Sequence, residues 1–181
     1  GVCIREVVAG KKLGTKPMLL GAIAQNIPDI DFLAAYWLPP PPTELDTRGI
    51  THSFLFCVLF TPLFAWVSVR LSKKNELNFR QWMFFWGLQI FIHIFIDAFN
   101  AYGTGWFEPF SHYRVSFNTM FVADPLFSVW PALAMLALLM LRRSSPKRKR
   151  IANIGLILSS AYLLMGILFK LDIDNKVDRE I

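Results

Sequence analysis

Four long apolar segments constrain the fold of this chain more than any other feature. They cover residues 54–71, 81–99, 125–141 and 151–169. Each is close to the roughly 17–25 residues that a bilayer-spanning helix needs. Each is also apolar nearly all round, whereas a helix of a soluble protein has one polar stripe. We therefore expect an all-α integral membrane protein with about four transmembrane helices.

The composition agrees with this fold class. The 181 residues are 54% hydrophobic and only 18% charged, whereas soluble domains have about 45–50% apolar and about 25% charged residues. The composition excludes a disordered chain. The two cysteines, Cys3 and Cys57, lie in no paired motif and form no disulfide framework. An ordinary water-soluble enzyme is therefore disfavoured.

Basic residues are concentrated in two loops between the apolar segments. They are Lys73, Lys74 and Arg80 in one loop, and Arg142, Arg143, Lys147, Arg148, Lys149 and Arg150 in the other. With four spans these loops lie on the same side, and loops rich in Lys and Arg face the cytoplasm. We expect both loops to contact anionic lipid headgroups. Membrane lipids, and no nucleic acid, are therefore the expected partners, although the net charge is +6.

Residues 1–27 do not fit the pattern of the four spans. The apolar stretch 17–27 is too short to cross a bilayer, and Lys11, Lys12 and Lys16 precede it. We expect a re-entrant or interfacial helix here. Because the chain begins with Gly and lacks a basic region before a short apolar stretch, we expect no signal peptide and expect further residues upstream.

His93 and Asp97 are the polar residues that most need a partner, because they lie within an apolar segment. They are four residues apart, so both side chains project from one face of a helix. A carboxylate in hydrocarbon costs about 2.5–3.5 kcal/mol on insertion scales, so such residues face a bundle interior, a cavity or a partner. Two interpretations stay open: a His–Asp hydrogen bond between helices, or two ligands of one cation.

Two motifs before the first span add candidate ligands. Asp29 and Asp31 are two close carboxylates, which repel each other unless a cation neutralises them. The alternative is a solvated acidic turn at a helix start. A run of four prolines, residues 39–42, follows and predicts a stiff polyproline II connector.

The second motif, residues 48–53, directly precedes the first span. Thr51 or Ser53 can cap that helix, but neither explains His52, which can bind a metal or move a proton. Arg48 adds a planar donor fork that suits a phosphate or carboxylate group.

The connection formed by residues 100–124 is long for a loop without regular structure, and such loops are usually functional or disordered. Its aromatic content argues against disorder. Arg114 is a second cation on this side of the membrane, and Asp124 is a candidate ligand at the start of a span. Residues such as Tyr102 and His112 more often pack against neighbours or lie on the surface than take part in a functional site.

In their order along the chain, these motifs resemble those of the YdjM-type family of bacterial inner-membrane, metal-dependent hydrolases. The matching residues are Pro28, Asp29, Asp31, Arg48, Gly49, Thr51, His52, Ser53, His93, Asp97, Tyr102, Gly103, Thr104, Pro109, Phe110, Ser111, Arg114, Val115, Asp124 and Pro125. Residues 5–12 resemble the family's N-terminal region, which adds Glu6 as a candidate ligand. One departure is Thr47, where the family usually has a histidine.

The resemblance implies one membrane-embedded hydrolase domain over residues 1–181, with the site motifs in 6–124 and the C-terminal spans in 125–170. The expected cofactor is a divalent cation, zinc first, with manganese or iron as alternatives. The expected metal ligands are Asp29, Asp31, His52, His93 and Asp97, with Asp124 and Glu6 as second choices.

The leading hypothesis is a multi-pass hydrolase of the bacterial inner membrane with its site on the extracytoplasmic side. A metal-activated water would attack a phosphoester or lipid-linked substrate. Asp31 or His52 would take a proton, and Arg48 and Arg114 would hold an anionic group. The alternative is a non-catalytic membrane protein in which the same residues bind a structural cation or form a polar seam with a scaffold or transport role.

Overall fold

The computed structural model of the protein describes residues 1–9, 16–31, 48–72, 77–121, 124–142 and 144–180. Within this part the regular structure is helical, and the contacts between extended residues amount to isolated bridges. The helices are α1 (Val2–Ala9), α2 (Lys16–Asn26), α3 (Phe54–Leu71), α4 (Phe79–Asp97), α5 (Pro125–Met140) and α6 (Lys147–Glu180), with a 3-10 turn, Ile50–His52, before α3. The all-α prediction is confirmed. The four-proline run and Thr47 lie outside the described residues.

The helices form two pairs that the N-terminal helices join. α3 packs against α4, and α5 packs against α6. α1 contacts α2, α4, α5 and α6, whereas α2 contacts α1 and α4. The N-terminal helices therefore connect the two pairs.

Local sequence explains where the helices begin. The Asn78 side chain accepts a hydrogen bond from Gln81 N, and the Gln81 side chain accepts one from Asn78 N, which forms a capping box at the start of α4. Asp124 caps α5, and Pro125 occupies its first turn, where no backbone N–H is needed. Ser53 caps α3 by accepting from Phe56 N.

Two helices are long and apolar enough to cross a bilayer: α3 and residues Lys147–Arg179 of α6. Only 17% of each apolar window is buried inside the protein, unlike the core helix of a soluble protein. α5 is apolar but has 16 residues. α4 has 19 residues and carries Gln89, His93 and Asp97. Two of the four expected spans are thus present by length and composition.

The expected N-terminal re-entrant or interfacial helix corresponds in place to α2. Its 11 residues extend about 16 Å, roughly half the hydrocarbon thickness. Ala24 of α2 is fully buried in a cluster with Trp82 and Phe85 of α4. This packing fixes the end of α2 that leads into the turn carrying Asp29.

A buried ion pair joins α1 to the second helix pair. Glu6 accepts from Arg148 Nε at 2.9 Å and from Arg5 Nη1 at 2.7 Å. Burial alone would raise the pKa of Glu6, but the two guanidinium groups hold it below its usual range. Arg148 also donates to the carbonyl groups of Leu138 and Leu141 at the end of α5. One arginine therefore holds α1 and α5 together.

Replacing Glu6→Gln should lower the free energy of unfolding by about 3–5 kcal/mol, because it leaves two buried guanidinium groups without their counter-charge. Denaturant unfolding of the detergent-solubilised protein measures this. Asp174→Asn removes a partner from the exposed Lys170–Asp174 pair and should change stability by about 0–1 kcal/mol. Equal effects of the two substitutions would contradict the assigned role of Glu6.

Candidate metal centre

Four candidate ligands from three parts of the chain meet at one end of the α3–α4 pair. His52 ends the 3-10 turn before α3, and Asp97 is the last residue of α4. His93 lies one turn earlier on the same face of α4. Asp29 lies in the turn that follows α2. The antiparallel order of α3 and α4 brings the beginning of one helix beside the end of the other.

The ligand atoms are close together. His52 Nε2 lies 3.4 Å from Asp29 Oδ1, 3.4 Å from Asp97 Oδ2 and 3.3 Å from His93 Nε2. His93 Nε2 lies 3.3 Å from Asp29 Oδ1 and 3.6 Å from Asp97 Oδ2. All four atoms lie within 4.8 Å of one another. Two imidazole nitrogens and two carboxylate oxygens therefore surround one point.

These separations allow a metal site. Five of the six pairs of ligand atoms lie 3.3–3.6 Å apart, which is the distance between neighbouring ligands of a tetrahedron with bonds of about 2.0–2.2 Å. The sixth pair, between Asp29 and Asp97, is at most 4.8 Å apart. Histidine nitrogen and carboxylate oxygen suit several divalent cations, so the group could hold one such ion.

The carboxylate of Asp97 supports the same interpretation. Its Oδ2 atom is buried and accepts no hydrogen bond from the residues that the structure describes. It nevertheless lies 3.7 Å from Arg48 Nε, in addition to its two histidine neighbours. A buried carboxylate oxygen without a hydrogen bond is costly unless a cation satisfies it.

Asp31 lies behind His52, on the side away from the cluster. Its Oδ2 atom accepts from Arg48 N and from Thr51 Oγ1, both at 2.7 Å, and lies 3.3 Å from His52 Nδ1. A carboxylate beside the second nitrogen of a metal-binding histidine fixes its tautomer and ring orientation. The geometry therefore gives Asp31 the position of an orienting residue, with Nε2 of His52 directed at the cluster.

Arg48 borders the cluster in an unusual backbone conformation. Its φ angle is 58°, a left-handed value that a non-glycine residue adopts at a cost. The hydrogen bond from its N–H to Asp31 and the one that its carbonyl accepts from Gly105 N, at 3.1 Å, hold it there. Its Nη1 atom is buried and donates no hydrogen bond within the described part of the chain. Arg48 thus brings a buried donor to the edge of the cluster.

The charges of the cluster act on each other strongly. Burial lowers the pKa of His52, but Asp29, Asp31 and Asp97 outweigh burial and raise that pKa to about 10. Burial also opposes the charge of Asp29, yet His52 and His93 hold its pKa well below the usual range. Without a metal, a protonated His52 therefore supplies the positive charge that the carboxylates need.

Glycines let the 100–121 loop approach this region closely. Gly103 has a φ of +71°, and a Cβ atom there would lie 2.9 Å from the carbonyl oxygen of Val115. A Cβ atom on Gly105 would lie 2.8 Å from Glu108 Cγ and 3.3 Å from the carbonyl oxygen of Arg48. The loop can therefore support the backbone of Arg48 directly.

Three other residues predicted for the site have different surroundings. Glu6 pairs with Arg5 and Arg148, as described above. Asp124 accepts from Leu126 N and Phe127 N as the cap of α5, and from the Tyr162 hydroxyl at 2.9 Å.

Arg114 donates to the carbonyl groups of Tyr102 and Gly103 within the loop. His112 is 89% exposed in its side chain and pairs with Glu108. The group formed by Asp29, His52, His93 and Asp97 does not include Asp124, Glu6 or His112.

Sequence reasoning missed two contributors to the site. Of the two cap candidates, Ser53 caps α3, whereas Thr51 Oγ1 donates to Asp31 and lies 3.1 Å from His52 Nδ1. Gly105 donates its N–H to Arg48. No spacing in the sequence indicates either contact, since both depend on how distant segments pack.

The fold and the site define a helical membrane protein with a candidate divalent-cation centre at one end of a helix pair. The YdjM inner membrane protein family matches residues 1–173, and the chain belongs to this family. No curated protein and no solved structure matches the chain significantly.

Asp97→Asn and His52→Asn should each lower the affinity for Zn²⁺ by more than about 100-fold, since even the loss of an orienting residue usually costs 10–100-fold. Asp31→Asn should fall within that smaller range. Isothermal titration calorimetry of the detergent-solubilised protein measures these affinities.

Matched controls are Asp124→Asn, which can still cap α5, and His112→Asn, which changes an exposed histidine. Both should keep the affinity of the unmodified protein. A loss with Asp124→Asn or His112→Asn that equals the loss with Asp97→Asn would contradict the assigned ligand set.

The affinity for Zn²⁺ should fall as the pH falls, because the cation must displace a proton from His52, whose pKa is about 10 in the metal-free protein. Asp29 is already ionised in this range and contributes no proton. Between about pH 6 and 8 we expect about a tenfold change per pH unit and the release of about one proton per ion. Calorimetry in buffers of different ionisation enthalpy measures the protons; no release would contradict the role of His52.

Proposed function

We propose that this protein is a membrane-bound hydrolase that uses a divalent cation, zinc first, to cleave a phosphoester or lipid-linked substrate. The observation that carries the proposal is the convergence of Asp29, His52, His93 and Asp97 beside the buried Nη1 donor of Arg48. A cation centre with an adjacent unsatisfied cationic donor suits a substrate that carries negative charge. Membership of the YdjM inner membrane protein family supports the location in the membrane.

When bound, the cation would supply Lewis-acid chemistry, in which it lowers the pKa of water towards about 7 and polarises a phosphoryl or acyl oxygen. The four ligands would hold it, and Asp31 Oδ2 would hold the proton on Nδ1 of His52. Arg48 would donate from Nη1 to an anionic oxygen of the substrate and stabilise charge that develops there.

The proton of the attacking water needs an acceptor. His52 directs Nε2 at the cluster and Nδ1 at Asp31. Asp31 Oδ2 already accepts hydrogen bonds from Arg48 N and Thr51 Oγ1. Asp29 has the most exposed side chain of the four, at 43%. Asp29 Oδ1 faces the two histidines and would bind the cation, so we assign the proton to Asp29 Oδ2, on the side chain of the cluster that water reaches most easily.

The proposal includes the location of the site on the extracytoplasmic side of a multi-pass protein in a bacterial inner membrane. Arg70 and Arg80 lie at the ends of α3 and α4 opposite the cluster, and basic residues begin α6. These positions support cytoplasmic loops at that end, in contact with anionic lipid headgroups.

A second candidate function is a structural cation site without catalysis. Four protein ligands at tetrahedral spacing leave no vacant position, as in structural zinc sites, whereas catalytic sites keep one position for water. The exposure of Asp29 favours catalysis over this alternative, since a structural ligand is usually enclosed.

Hydrolysis assays separate the two functions. The probes are a soluble aryl phosphodiester, an aryl phosphomonoester and a fluorescent phosphatidic acid in mixed micelles, each with and without chelator. The proposal expects zinc-dependent cleavage of at least one probe that Asp97→Asn abolishes. Tight zinc binding and zinc-dependent thermal stability without cleavage of any probe would favour the structural site.

Arg48→Met should lower kcat/KM by about 10²–10³-fold while zinc affinity stays within a few fold, because one donor to developing charge is lost. Arg48→Lys is the matched control: it keeps the charge but not the planar fork and should lose less. Steady-state kinetics on the cleaved probe, with calorimetry of zinc binding, measures both. An unchanged kcat/KM for Arg48→Met would contradict the role of Arg48.

A further inference from the structure

The loop beside the metal centre has large aromatic side chains that the described part of the protein leaves uncovered. Phe110 is 82% exposed, Tyr113 is 68% exposed and Phe107 is 49% exposed. We refer to these three residues as the aromatic loop surface. Large apolar side chains grouped on a surface usually mark a site that contacts a partner or a membrane.

The loop that carries this surface is held in a defined shape. Thr104 and Val115 exchange two backbone hydrogen bonds of 2.9 and 3.0 Å. The Asn100 side chain accepts from Tyr102 N and Gly103 N at the start of the loop. The exposed rings therefore belong to an ordered part of the loop, and their exposure follows from its shape.

The aromatic loop surface continues the outer face of the α3–α4 pair. Phe91 and Phe95 lie on the exposed side of α4 at 44% and 38% exposure. Phe54, at the start of α3, stacks on Phe91 with a centroid distance of 6.0 Å and contacts the Phe107 ring at 6.3 Å. Trp106 stacks on Phe95 at 6.0 Å. An unbroken row of rings therefore runs from the spanning helices into the loop.

The charges near the aromatic loop surface suit an interface between lipid and water. Glu108 has 15% of its side chain exposed, and its Oε1 atom lies 2.8 Å from His112 Nδ1. His112 is exposed beside the rings, where an imidazole can reach the headgroups. Aromatic rings with such polar neighbours are typical of the headgroup level of a bilayer.

We propose that the aromatic loop surface inserts into the lipid leaflet on the same side of the membrane as the metal centre. The occupant of this surface is lipid, because the surface is continuous with the exposed apolar face of the α3–α4 pair, and α3 is long and apolar enough to cross a bilayer. A soluble partner would have to cover rings that adjoin acyl chains.

Insertion sets the depth of the metal centre. His93 and Asp97 lie on the opposite side of α4 from Phe91 and Phe95, since two residues along a helix correspond to about 200° of rotation. With the loop anchored in the leaflet, the cluster lies at headgroup depth and opens towards molecules at the membrane surface. This inference depends on the surface and not on hydrolysis, so it stands or falls independently of the proposed function.

The depth of single nitroxide labels tests the proposal. Phe110→Cys and Tyr113→Cys are labelled in a Cys3→Ala, Cys57→Ala background and reconstituted in phosphatidylcholine vesicles. Collisions with oxygen, which concentrates in lipid, and with water-soluble chromium oxalate are measured by power saturation. The controls are Leu133→Cys, on the exposed apolar face of α5, and Asp178→Cys, in the charged end of α6.

Labels at 110 and 113 should have a clearly higher oxygen-to-chromium ratio than the label at 178, between that value and the ratio at 133. A ratio equal to that at 178 would overturn the proposal, because the loop would then lie in water. Protection from both reagents would also overturn it, because a second copy of the chain or another protein would then cover the rings.

A second measurement keeps both cysteines, in case their removal disturbs folding. Phe110→Trp is compared with the unmodified protein in vesicles that contain bromine-labelled lipid. Insertion predicts extra tryptophan fluorescence that the brominated lipid quenches, whereas Asp178→Trp should add fluorescence that it does not quench. Absence of extra quenching for Phe110→Trp would overturn the proposal.

Discussion

The candidate site depends on the mutual attraction of two carboxylates and two imidazoles that the fold holds a few ångströms apart. Partly buried groups of this kind lose hydration, and two carboxylates alone would repel each other. The positive charge has to come from a proton or from a metal ion. In the metal-free protein a protonated His52 supplies this charge, because the neighbouring carboxylates raise its pKa to about 10. A divalent cation would satisfy the same carboxylates and accept lone pairs from both histidines at once.

The rest of the fold brings these four side chains together mostly through regular helices and their caps. One helix supplies His93 and Asp97 by its periodicity alone, whereas His52 needs the short 3-10 turn and the Ser53 cap that begin α3. Asp29 needs α2 to pack on α4. Arg48 has a positive φ, and hydrogen bonds with two other segments hold its backbone in this conformation. The guanidinium of the same residue borders the cluster.

The features that depend on neighbouring residues along one helix could be predicted from the sequence. The contacts that depend on the packing of distant segments could not. Apolar runs predicted the all-α class, and the family assignment followed from the order of the motifs. The four-residue spacing placed His93 and Asp97 on one face. Nothing in the spacing showed that Asp31 would lie behind His52, or that Glu6 would find Arg148 in a distant helix. Composition also predicted four spans, yet α4 is too polar and α5 too short to qualify by length and hydropathy.

The ion pair between Glu6 and Arg148 links the C-terminal helices to the N-terminal helices that place Asp29, although the C-terminal helices contribute none of the four clustered ligands. Asp29 reaches the cluster through α2, α2 rests on α1, and α1 is fastened to α5 and α6 through Arg148. A shortened chain that ended before α5 would retain the four side chains of the cluster but lose the ion pair between Glu6 and Arg148. The C-terminal helices therefore contribute to the position of Asp29 indirectly, through the packing of α1 and α2.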